Sequence, residues 1–179
     1  MNPRQEIERW LTDIVISLSL CPFAAHPWQA GTVRVEVFEG KDEEAFKEKL
    51  IDELRLISST ASEKIETTLL STTLLFPDFF DFSVFVQHSQ TLLKREGLKG
   101  EIQIASFHPD FQFNSVASGD KQNLTNRSPY PILHLIREAS LEKAIESHPD
   151  TENIYKRNIA LMQALSNDTI KDLFPYSKT

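Results

Sequence analysis

The spacing of hydrophobic residues divides the chain into segments with two different periods. Apolar side chains that recur every three or four residues predict amphipathic helices, because this is the period of one helix face. Before residue 100, the predicted helices span residues 3–20, residues 42 to about 58, and the stretch from Asp78 to the residue before Gly97. Two later helices are predicted from Pro131 to about Ser147 and from Thr151 to about Leu165.

Three other segments have the pattern of β-strands. Residues 32–38 alternate between valines and polar residues, which predicts a half-buried strand. Residues 66–76 are almost free of charge after Glu66, so we expect a central strand that is covered on both faces. Residues 102–107 alternate again, and the loop of about 15 residues that follows is longer than most connections.

The order of these elements predicts the fold class. Strands that alternate with helices favour a small α/β protein with a three-stranded, at least partly parallel sheet, flanked by helices and followed by two C-terminal helices. Antiparallel pairing in an α+β layer is the alternative. We expect residues 1–179 to form a single globular domain.

Composition and charge narrow the classes of function. The chain is 40% hydrophobic and 25% charged, which is ordinary for a globular protein. The net charge of −7 argues against nucleic acid as a partner. The sequence contains no apolar run of the length that crosses a membrane, and its start lacks the apolar core of a signal peptide, so a cytoplasmic protein is expected.

The segment 125–138 carries the largest group of chemically capable side chains. Proline suits the first turn of a helix, so Pro131 predicts a helix N-terminus with free backbone N–H groups. Asn126, Arg127 and Ser128 lie just before it, and Arg137 lies further along. This arrangement predicts binding of an anionic group, such as a carboxylate or a phosphate. The alternative is a capping loop whose arginine forms an ordinary ion pair.

His134 is the predicted acid or base of this site. In a helix, His134, Arg137 and Glu138 would share one face, and Glu138 could orient the imidazole. His108 ends the third strand and is expected to assist from the same cleft. A packed helix residue for His134 and salt bridges for Arg137 and Glu138 are the structural alternatives.

Metal binding and thiol chemistry are separate possibilities. His108 and His134 could hold a metal together with Asp110, Glu66 or Glu138, although their spacing is not diagnostic. Cys21 is the only cysteine, which leaves no intrachain disulfide. It is a reactive thiol if Pro22 begins a new helical turn, and a buried structural cysteine if the preceding helix merely ends there. The usual nucleotide and hydrolase motifs are absent from the sequence, and the identity of any cofactor is left unknown.

Four motifs in order resemble a bacterial domain-of-unknown-function family, number 1415. They read Leu-Cys-Pro-Phe-Ala from residue 20, Glu-Thr-Thr-Leu-Leu from residue 66, Ser-Phe-His-Pro-Asp-Phe-Gln-Phe from residue 106, and the segment 125–138. The resemblance extends from about Trp10 to the last helix. It implies a free-standing bacterial cytosolic protein, and it supplies no reaction, cofactor or catalytic residue.

Three functional hypotheses follow from the sequence. The first is a small enzyme that acts on an anionic metabolite through Arg127 and His134. The second is a noncatalytic binding module for a metabolite or a partner protein, and the third is a histidine-ligated metal protein.

Overall fold

A four-stranded sheet with helices on both faces organises the protein, as seen in a computed structural model that describes residues 1–147 and 151–177. The strand order is β1-β2-β4-β3. The strands are β1 (Val33–Phe38), β2 (Thr67–Thr72), β3 (Ile102–Phe107) and β4 (Ile132–Arg137). The predicted mixed α/β class is therefore confirmed, but the sheet has four strands and not three.

Seven α-helices complete the described part of the chain. They are α1 (Pro3–Trp10), α2 (Ala25–Gln29), α3 (Glu43–Ser59), α4 (Phe79–Arg95), α5 (Glu138–Ser147), α6 (Thr151–Ala164) and α7 (Asn167–Leu173). A π-helical segment, Leu11–Ile16, continues α1, and a 3-10 helix, Lys121–Asn126, lies in the long loop after β3. None of the helices in the described ranges is long and apolar enough to span a bilayer.

The sheet combines parallel and antiparallel pairing. β1 runs parallel to β2, whereas β4 is inserted antiparallel to both β2 and β3. The predicted partly parallel sheet is confirmed, and β2 is an inner strand as expected from its lack of charge. Asp42 caps α3 by accepting a hydrogen bond from the backbone N–H of Glu44 at 2.9 Å.

The helix predicted from Pro131 to about Ser147 is wrong in its first half. Ile132–Arg137 is strand β4, and helix α5 begins only at Glu138. An apolar run covered on both faces does not distinguish a buried helix from a central strand, which explains the error. Pro131 fits this position because it has no N–H to satisfy, while its carbonyl accepts hydrogen bonds from the Thr72 N–H at 3.2 Å and the Ser71 hydroxyl at 3.0 Å.

Each face of the sheet has its own hydrophobic core. Helices α3 and α4 cover one face with side chains such as Phe46, Leu54 and Phe82, which are all fully buried. The other face packs against the N-terminal helix and the C-terminal helices, through residues such as Trp10 and Phe174. Because side chains alternate along a strand, neighbouring residues of β2 and β4 serve different cores.

A network of four charged side chains joins β1 to α3. Glu53 of α3 is only 2% exposed, and its carboxylate lies 2.7 Å from the Arg34 guanidinium and 3.1 Å from the Lys49 ammonium. Glu36 also pairs with Arg34 and Lys49, at 2.8 and 2.7 Å. Burial by itself would raise the pKa of the Glu53 carboxyl, but Arg34 and Lys49 outweigh it and lower that pKa below its ordinary value.

We predict that Glu53→Gln destabilises the protein at neutral pH by roughly 2 kcal/mol, since it removes charge-assisted hydrogen bonds. A carboxyl whose pKa is lowered in the folded state stabilises that state at pH values above the pKa that the same carboxyl has in the unfolded chain. This stabilisation is lost as the pH falls through the lowered pKa. The difference in unfolding free energy between the wild type and Glu53→Gln should therefore shrink between neutral pH and about pH 3. Urea titrations at several pH values measure this difference in unfolding free energy. Glu48→Gln is the control, because Glu48 lies on the same helix and is exposed. A pH-independent difference would contradict the prediction.

Thr68 of β2 has a fully buried hydroxyl that lacks a hydrogen-bond partner among the described residues. We predict that Thr68→Val stabilises the protein by about 1 kcal/mol, because it removes an unsatisfied polar atom at nearly constant shape. Thr72→Val is the matched control on the same strand, since the Thr72 hydroxyl accepts a hydrogen bond from the Leu75 N–H at 3.3 Å and its loss should cost stability. Equal effects of the two substitutions on the urea midpoint would refute this assignment.

Candidate functional site

A pocket of about 480 Å³ lies on the face of the sheet opposite α3 and α4. Its floor consists of side chains from all four strands, and its walls are the π-helical segment, the turn after Cys21 and helix α5. The floor includes Val33, Thr67, Leu69, Ala105, Phe107 and His134. This volume and the predominantly apolar lining are typical of sites that bind small molecules.

His134 is the polar centre of the pocket floor. It lies on β4 directly between Leu69 of β2 and Ala105 of β3. Its Nε2 atom is 2.7 Å from the Thr67 hydroxyl oxygen, and the same hydroxyl donates to the backbone carbonyl of Leu135 at 2.7 Å. Burial lowers the pKa of His134 to about 4, so the imidazole is neutral at physiological pH.

The charged or ionisable side chains that surround His134 in this pocket include one carboxylate and a peripheral histidine. Glu66 lines the pocket at the start of β2, whereas none of the described lining residues is a lysine or an arginine. His26 also lines the pocket, but its side chain is exposed at the rim. The pocket thus offers hydrogen-bond acceptors on an apolar surface and no permanent positive charge from the described lining.

Cys21 also lines this pocket, at the beginning of the turn that leads into α2. The Ala24 N–H donates to the Cys21 carbonyl at 3.2 Å, which closes a single turn, and helix α2 begins only at Ala25. Burial raises the pKa of the Cys21 thiol, and hydrogen bonds from the backbone of Phe23 and Ala24 offset only part of that increase. The thiol is therefore protonated at neutral pH.

His108 lies in a different environment from His134. It is 1% exposed and lines a second cavity of about 230 Å³, at the edge of the sheet where β2 ends. Its Nδ1 atom accepts from the Asp110 N–H at 3.0 Å, and its Nε2 atom is 2.9 Å from the Phe76 carbonyl. The two histidines were predicted to share a cleft, but the structure places them in separate cavities.

Arg127 is a buried residue that is 3% exposed and is bonded to the backbone around it. Its guanidinium donates to the carbonyls of Phe111 at 3.3 Å and Ser118 at 2.9 Å, and to the hydroxyl of Ser177. Burial lowers the pKa of Arg127, and Asp110 opposes that effect. Because residues 132–137 form a strand, the predicted helix N-terminus beside Arg127 does not exist.

The neighbours of Arg127 have local partners as well. Asn126 donates a long hydrogen bond of 3.5 Å to the carbonyl of Ser106, and the buried Ser128 hydroxyl donates to the carbonyl of Tyr130 at 2.6 Å. None of the residues 126–128 belongs to the lining of the 480 Å³ pocket.

Arg137 lies on the opposite face of β4 from His134, and Glu138 begins helix α5 outside the pocket lining. Residues three apart in a strand face opposite sides, so the Arg137 side chain lies on the other face. There it donates to the backbone carbonyls of Ile57 and Ile65 at 2.6 and 2.9 Å. The Glu138 N–H donates to the Glu101 carbonyl at 2.9 Å, where α5 begins. The expected shared face of the three side chains is therefore wrong.

The metal hypothesis gains no support from the geometry. Among the residues that the structure describes, no group of three or more His, Cys, Asp or Glu side chains is arranged to hold a metal ion.

The pocket itself was not predicted from the sequence, because its lining is dispersed from Trp10 to Ser147. One sequence signal could have indicated it. Ala105 is the small apolar residue of strand β3, and it lies directly beside His134. A small side chain next to a polar one on a sheet leaves open space at that point.

These features define a mixed α/β protein with an apolar pocket on one face of a four-stranded sheet. The chain belongs to the family described as "Protein of unknown function (DUF1415)", whose model matches residues 2–172 of the 179. The resemblance inferred from its motifs is thereby confirmed. Neither the curated proteins nor the solved structures contain a match to this chain.

We predict that Cys21 reacts slowly with iodoacetamide at neutral pH. The rate should rise only at pH values higher than those at which an ordinary thiol ionises. A raised thiol pKa leaves less of the reactive thiolate at any lower pH. The rate as a function of pH is measured on the native protein and, as the control, on the protein unfolded in urea. A native profile shifted to lower pH than the unfolded one would contradict this prediction.

Proposed function

We propose that the protein binds a small, largely apolar molecule in the pocket on the sheet face, with His134 as the polar group in its floor. The observation that carries the proposal is an apolar cavity of about 480 Å³ with a neutral histidine in its floor. His134 is half-buried, and its Nδ1 atom has no hydrogen-bond partner among the described residues, so it can pair with a ligand that enters the cavity.

The apolar lining favours this class of ligand over a metabolite that is charged throughout. Burying a carboxylate or a phosphate requires a positive charge or several hydrogen-bond donors, and the described lining carries a carboxylate at Glu66 instead. Arg127, the sequence-based candidate for anion binding, is engaged with backbone carbonyls away from this pocket. The proposal therefore rests on His134 and the apolar walls.

Catalysis in the same pocket is the second candidate. The Thr67 hydroxyl fixes the His134 ring, which resembles the way a catalytic base is oriented by a neighbouring group. A pKa of about 4 makes this imidazole a weak base, so binding is the better supported use. An enzyme would lose turnover while retaining its ligand when His134 is replaced, whereas a binding protein would lose affinity.

The test uses N-phenyl-1-naphthylamine, a neutral dye whose fluorescence increases in apolar surroundings. We expect saturable binding to the wild type, and a loss of affinity of about tenfold or more in Ala105→Phe, because the new ring occupies the space beside His134. Ala139→Phe is the matched control, since Ala139 is exposed on α5 and outside the pocket lining.

The site of binding has an independent reporter. Cys21 is the only cysteine of the chain and lines the same pocket, so bound dye should slow its alkylation in proportion to occupancy. The proposal fails if the wild type shows no saturable signal, or if Ala105→Phe binds the dye as the wild type and Ala139→Phe do.

A further inference from the structure

The hydrogen bonds around His134 determine which of its ring nitrogens carries the proton. The Thr67 hydroxyl has one hydrogen, and the Leu135 carbonyl, 2.7 Å away, can only accept it. The same hydroxyl oxygen is 2.7 Å from Nε2 of His134 and must therefore accept at that contact. The neutral ring consequently carries its hydrogen on Nε2.

This tautomer leaves Nδ1 with a lone pair. No described residue forms a hydrogen bond with Nδ1, while the ring itself is part of the pocket floor. On the β3 side the cross-strand neighbour of His134 is Ala105, whose methyl group leaves room for a ligand atom beside the ring. Nδ1 is thus a fixed hydrogen-bond acceptor in an apolar pocket.

The other groups of the lining are consistent with an acceptor-rich site. Glu66 provides carboxylate oxygens, and the Trp10 N–H is already used because it donates to the Arg127 carbonyl at 2.9 Å. The Ser140 hydroxyl can donate or accept. A ligand carboxylate near His134 would meet a second lone pair where it needs a donor.

From this geometry, and resting on the proposed function, we infer that the ligand is an apolar molecule that presents a hydroxyl or an N–H group to Nδ1 of His134. Carboxylates of the same shape are rejected. Such selectivity is expected because a site built around a buried hydrogen bond discriminates strongly against a ligand that cannot form it.

Three naphthalene probes of similar shape test the inference by competition with the dye. 2-Naphthol can donate to Nδ1, 2-methoxynaphthalene cannot donate, and 2-naphthoate carries a negative charge. We expect 2-naphthol to bind the wild type about tenfold more tightly than 2-methoxynaphthalene, and 2-naphthoate to bind most weakly. Equal affinities for the naphthol and the methyl ether would overturn the inference but leave the proposed function standing. Failure of the dye and of all three probes to bind would overturn the proposed function itself.

Paired substitutions locate the discrimination at Nδ1. His134→Asn keeps an amide oxygen near the position of Nδ1, whereas His134→Gln places its amide near Nε2 and leaves Nδ1 without a replacement. The preference for 2-naphthol should persist in His134→Asn and disappear in His134→Gln. Thr67→Val removes the hydroxyl that keeps the ring hydrogen on Nε2, so it should reduce the preference for 2-naphthol. Thr68→Val is the control and should leave the preference unchanged, because Thr68 faces the opposite core. The role of Nδ1 would be refuted if the preference for 2-naphthol were lost in His134→Asn but kept in His134→Gln. It would also be refuted if the preference fell in Thr68→Val but not in Thr67→Val.

A measurement on the unmodified protein avoids any dependence on the folding of these variants. Nitrogen-15 NMR of the imidazole rings, with His134 identified among the five histidines by its missing signal in His134→Gln, reports the tautomer directly. We expect the Nε2–H form in the free protein and a shift of the Nδ1 resonance when 2-naphthol binds. An Nδ1–H tautomer, or an Nδ1 resonance that 2-naphthol leaves unchanged, would overturn the inference.

Discussion

The insertion of β4 between β2 and β3 is the interaction on which the rest of the structure depends. β4 is antiparallel to both neighbours and joins two parts of the chain that are otherwise far apart in sequence. Its side chains are Ile132, His134 and Ile136 on one face, and Leu133, Leu135 and Arg137 on the other. One strand therefore supplies both hydrophobic cores and also places a histidine in the floor of the pocket.

The same strand separates structural residues from candidate functional ones. Arg137 binds backbone carbonyls at the end of α3, and the strongly buried Arg127 holds the long loop after β3 through carbonyls of that loop. Both arginines have a clear structural use, since buried carbonyls need donors. His134, by contrast, has one ring nitrogen that the described residues leave available to a ligand.

Much of the fold could be predicted from local patterns. The alternation in β1 and β3 and the helical period of α3 and α4 are local properties of the chain, so these elements were predicted nearly to their observed ends. β4 could not be identified in this way because Ile-Leu-His-Leu-Ile is apolar on both faces, and Pro131 is equally suited to the start of a helix or of a strand.

The site was harder to predict than the fold, because it depends on contacts between distant parts of the chain. His134 and Cys21 were singled out as chemically capable, and the structure places both in the lining of one pocket. Thr67 was missed as a partner of His134 because that contact depends on the register between β2 and β4. Arg127 was predicted to bind an anion together with a helix N-terminus at Pro131, and that N-terminus is absent because residues 132–137 form a strand.

A crystal structure of the protein soaked with 6-bromo-2-naphthol would test the central claim most directly. We predict a single strong anomalous bromine peak inside the pocket on the sheet face, with the naphthol oxygen within hydrogen-bond distance of Nδ1 of His134. A bromine peak elsewhere, with the pocket free of the probe at saturating concentration, would contradict the assignment of this pocket as the binding site.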